Sequence, residues 1–69
     1  MSEISGPLTD IEMLNDYRKD AMSAAQGYLM LSMETNDIKV RTLLKTLSAS
    51  SAKSADDISE QIIKFGGKI

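Results

Sequence analysis

Cysteine and histidine are both absent from the 69 residues. Without thiols the chain can hold neither a disulfide framework nor a thiolate metal site. Without imidazole it lacks the commonest general base, the commonest metal ligand and every triad built on that ring. The expectation is therefore a protein that is no enzyme, with no catalytic residue, no cofactor and no metal.

Long apolar runs are missing too. Nothing approaches the ~20 residues of a bilayer span, and no basic segment followed by an apolar one opens the chain. The expected place of synthesis is the cytoplasm, with no membrane partner. Eight Lys and Arg stand against ten Asp and Glu, a formal net charge of -2. The basic residues are spread along the chain instead of gathered into a stripe, so nucleic acid is not an expected partner either.

The single proline sits in "MSEISGP", residues 1–7, ahead of any periodicity; this stretch reads as a mobile N-terminal arm before one domain over 8–69. Thr9 with Glu12 three places on forms a capping box, and Leu8 and Met13 occupy the two staple positions. Leu14, Tyr17, Ala21, Ala24, Tyr28 and Leu31 then recur three and four apart, one face of a helix over about 10–35. Asn36 or Asp37 can cap a second helix over about 37–65. Its stripe is Val40, Leu44, Leu47, Ser51, Ala55, Ile58, Ile62 and Phe65, and Gly66-Gly67 supplies a left-handed stop. Asp37 with Arg41 and Glu60 with Lys64 are spaced as helical ion pairs.

These features predict an all-α fold, an antiparallel hairpin of two helices each ~40 Å long. Turning near residue 36, it pairs positions whose numbers sum to about 72, which sets Tyr28 against Leu44, Ala21 against Ser51 and Leu14 against Ile58. The middle is slim. "LSASSAKSAD", residues 47–56, offers nothing bulkier and apolar than alanine between Leu47 and Ile58, and it faces Ala21, Ser23, Ala24, Ala25 and Gly27.

A second apolar set, Met22, Leu29, Met30 and Met33, decorates the first helix away from that stripe. Two helices in one layer do not enclose a core, and ordering each residue costs roughly 1.5 kcal/mol, so a chain this short needs help from outside the monomer. Self-association through this methionine face into a homodimeric four-helix bundle is the expected solution.

The phrases "LTDIEMLNDY", "MLSMETNDIKVRTLLKTL" and "ISEQIIKFGG" together resemble the spore coat protein F family, small ferritin-like hairpins of spore-forming bacteria. Leu8, Thr9, Asp10, Glu12, Met13, Leu14, Asn15 and Asp16 fit the family's opening phrase, Glu34, Thr35, Val40 and Arg41 its interhelix phrase, and Ile58, Ile62, Ile63 and Gly66 its closing one. The resemblance implies a ferritin-like half, a structural or assembly role, other coat proteins as partners and the spore coat as destination. Two features depart from the pattern: Ala49, Ser50 and Ser51 stand where members carry a polar triplet that includes histidine, and the aromatic ending is replaced by Gly67, Lys68 and Ile69.

Two other functions stay open at this level: a small dimeric interaction or regulatory module, and a degenerate ferritin-like metal carrier. For the latter, Glu34 is the one relic ligand, better explained by turn or capping chemistry beside Arg41. Asp56, Asp57 and Glu60 point too far apart on a helix to converge on one ion. The serines at 48, 50, 51 and 54 lack a base, since Lys53 would need burial to serve as one. Such hydroxyls commonly bond a carbonyl one turn back. Whether the waist is closed by tight helix approach, filled from another subunit or hydrated is not fixed by the residues alone.

Overall fold

A computed structural model describes residues 9–67. It is all-helical over that span, with α1 at Asp10–Glu34 packed antiparallel against α2 at Ile38–Lys64. The arm expected over 1–7, the staple residue Leu8, and Lys68 and Ile69 lie outside the described residues.

Each helix begins where a side chain takes over orphan backbone donors. The Thr9 hydroxyl accepts from the Glu12 amide at 3.1 Å and the Glu12 carboxylate accepts from the Thr9 amide at 2.9 Å, a closed capping box. Of the two candidate caps for α2, Asp37 fills the role: its Oδ1 accepts from the amides of Lys39 and Val40 at 2.9 and 3.0 Å. Asp37 is thereby committed, and the Arg41 guanidinium donates instead to the Thr35 carbonyl at 2.8 Å, bridging the turn to α2. Among the described residues the close ion pair is Lys53 with Asp57, at 3.0 Å on the exposed surface, and the Glu60–Lys64 spacing does not close.

α2 ends in a Schellman motif. Gly66, at φ 85°, donates to the Ile63 carbonyl at 2.9 Å and Gly67 donates to Ile62 at 2.8 Å. The chain then lies against α1, because a Cβ built on Gly67 would stand 3.1 Å from Ile11 Cγ2 and 2.7 Å from Ile62 Cγ2. The open end of the hairpin is closed by these three residues.

The register comes from the opposite region. Ser48 donates to the Ala25 carbonyl across the hairpin at 2.6 Å, pairing numbers that sum to 73. Most residues shielded from water follow one heptad pattern: Ile11, Leu14, Arg18, Ala21, Ala25, Tyr28 and Ser32 on α1, Thr35 at its C-cap, and Arg41, Leu44, Ser48, Ser51, Ala55, Ile58 and Ile62 on α2. Small side chains hold the centre. Fully buried positions are Ile62 and Ser32, with Ala21 and Ala55 close behind, and the Ser32 hydroxyl is satisfied by the Leu29 carbonyl at 2.6 Å.

Candidate functional site

The hairpin is a layer one helix deep, two helices of 25 and 27 residues side by side, and it presents two broad faces. Those faces differ in chemistry. The heptad seam places Tyr17, Ala24 and Leu31 beside Val40, Leu47 and Ser54 on one of them, since in an antiparallel pair equivalent flanking positions share a side. A groove lined by Leu14, Tyr17, Ser54, Asp57 and Ile58 joins the two helices there, and Met13 and Phe65 extend it towards the open end.

Part of the stripe expected to pack inside the hairpin lies on this face instead. Tyr17 is 65 % exposed, Leu31 52 %, Val40 43 % and Leu47 37 %. Ala21, Ala55 and Ile62 are buried, and Leu14, Tyr28, Leu44, Ser51 and Ile58 are partly covered along the seam. The structural reason is a rotation of each helix by less than one residue step, which keeps Leu14, Ala21 and Tyr28 in the seam and turns Tyr17, Ala24 and Leu31 out of it. Arg18, Ala25, Ser32, Arg41 and Ser48 take the inner positions, because small side chains let the helix axes approach and long guanidinium stems lie along the seam while their heads reach outward.

The opposite face is polar by comparison. One groove there is lined by Arg18, Met22, Gln26, Ala52, Asp56 and Ser59 among others. A second is lined by Leu29, Ser32, Met33, Arg41 and Lys45. Met22, Leu29, Met30 and Met33 are all exposed, yet they do not form an uninterrupted apolar surface. Met22 stands by Arg18, whose guanidinium donates to its sulfur at 3.3 Å, and Leu29 and Met33 flank Arg41 and Lys45. The Nε atoms of Arg18 and Arg41 are shielded from water with no partner among the described residues.

No protein-family model matches the chain, and no curated protein or solved structure is significantly similar to it.

Among the described residues no group of three or more acidic, histidine or cysteine side chains converges as a metal site, and no helix is long and apolar enough to cross a membrane. Glu34 ends α1 and is exposed, away from Asp56, Asp57 and Glu60 near the other end of the hairpin. Asp57 is engaged with Lys53, whose ammonium pKa is pushed up by that hydrogen bond and then by the carboxylate charges of Asp57, Glu60 and Asp56. Glu12 is held below its usual range first by the Thr9 amide and then by the Thr9 hydroxyl. Both shifts come from local helix contacts. The serines divide in the same way: Ser48 bridges the helices, while Ser51 sits in the seam and Ser50 and Ser54 are exposed. Ser32 and Ser59, which composition did not single out, are tied to their own helices through Leu29 and Ala55.

Proposed function

We propose that the chain is a non-enzymatic assembly subunit, a helical hairpin that completes its core by pairing with further copies and serves as a structural part of a protein coat. One observation carries this reading. Among the described residues thirteen large apolar side chains are exposed, while the buried hydrophobic ones are Ala21, Ala55 and Ile62. A leucine or methionine moved out of water contributes about 1.5–3 kcal/mol, and the isolated hairpin forgoes most of that. Association recovers it.

The resemblance of Leu8–Gly66 to the spore coat F proteins supplies the setting, a spore coat built with other coat proteins. Sedimentation equilibrium over a hundredfold concentration range, with a thermal melt at each end, tests the assembly. An oligomer whose melting temperature rises with concentration is expected, and a monomer with constant melting temperature would overturn it. Antibody detection through the growth cycle of the source organism tests the setting: the protein is expected in coat extracts of spores, and equal abundance in vegetative cells argues against a coat.

A second reading has its own support in the exposed methionines on α1. Unbranched thioether side chains re-pack readily against varied surfaces, which suits a module that docks a partner protein through Met22, Met30 and Met33. A pull-down returning one defined stoichiometric partner would favour this reading over coat assembly.

A further inference from the structure

We draw no further inference here: the strongest candidate, the apolar surface patch of Tyr17, Leu31, Val40 and Leu47 on one broad face of the hairpin, is an unpartnered face, and nothing in the structure shows what covers it.

Discussion

The Ser48 hydroxyl crosses the hairpin to donate to the Ala25 carbonyl at 2.6 Å. That carbonyl belongs to the middle of α1, so the bond requires the two helices to lie close there, and Ala21, Ala25 and Ala55 make the approach possible. Ser48→Ala is expected to cost about 1 kcal/mol, the usual net worth of one hydrogen bond. Ser48→Leu adds overpacking of ~1–3 kcal/mol on top. Urea denaturation at fixed protein concentration reads both.

Three glycines make predictions of different sign. Gly66→Ala places a side chain at φ 85° and should cost ~1–2 kcal/mol. Gly67→Ala drives a Cβ to 2.7 Å from Ile62 Cγ2, and a loss of ~1–3 kcal/mol is expected as Ile62 and Ile11 are displaced. Gly27 has open space around its Cβ position within α1, so Gly27→Ala should stabilise by roughly 0.5–1 kcal/mol. Thermal melts of the three variants at equal concentration decide the ranking.

Acid should loosen α1 at its first turn. Glu12 has a depressed pKa in the folded chain, so its contribution is fully present above the ordinary glutamate value and is lost as pH falls through the lower folded one. Amide exchange at Glu12 and Met13 should accelerate over that window, and Glu12→Gln should flatten the dependence.

The Lys53–Asp57 pair is fully exposed to solvent competition, with side chains 76 % and 60 % accessible. Asp57→Asn is expected to leave the melting temperature nearly unchanged, within the ±0.5 kcal/mol typical of surface substitutions. A larger drop would show that Asp57, which lines the groove with Tyr17, is covered in the assembled protein.

The helices, their caps and their register were legible in the sequence because each is written in local chemistry. Thr9 and Glu12 announce a start, Gly66 and Gly67 a stop, and a turn near residue 36 predicts pairs summing to 72 where Ser48 and Ala25 give 73. Which residues face inward was legible in part: Leu14, Ala21, Tyr28, Leu44, Ser51, Ala55, Ile58 and Ile62 lie in the seam as their spacing predicts, and the alternate positions do not. Tyr17, Leu31, Val40 and Leu47 have the periodicity of buried residues, and periodicity marks side chains that tend to leave water without saying whether the covering helix belongs to the same chain. Arg41 reads as an ion-pair partner of Asp37 and Ser48 as one of the small waist residues, since nothing in residue type reveals that a long stem can lie along a seam or that a serine can tie two helices together.

Gly67 rests against Ile11, so both ends of the described chain leave the hairpin at the same pole. The hairpin is therefore a one-ended post, ~40 Å long by its helices, with the turn between α1 and α2 at its far tip. Lengthening both helices by whole turns would move that tip outward and leave the pole where the chain enters and leaves undisturbed.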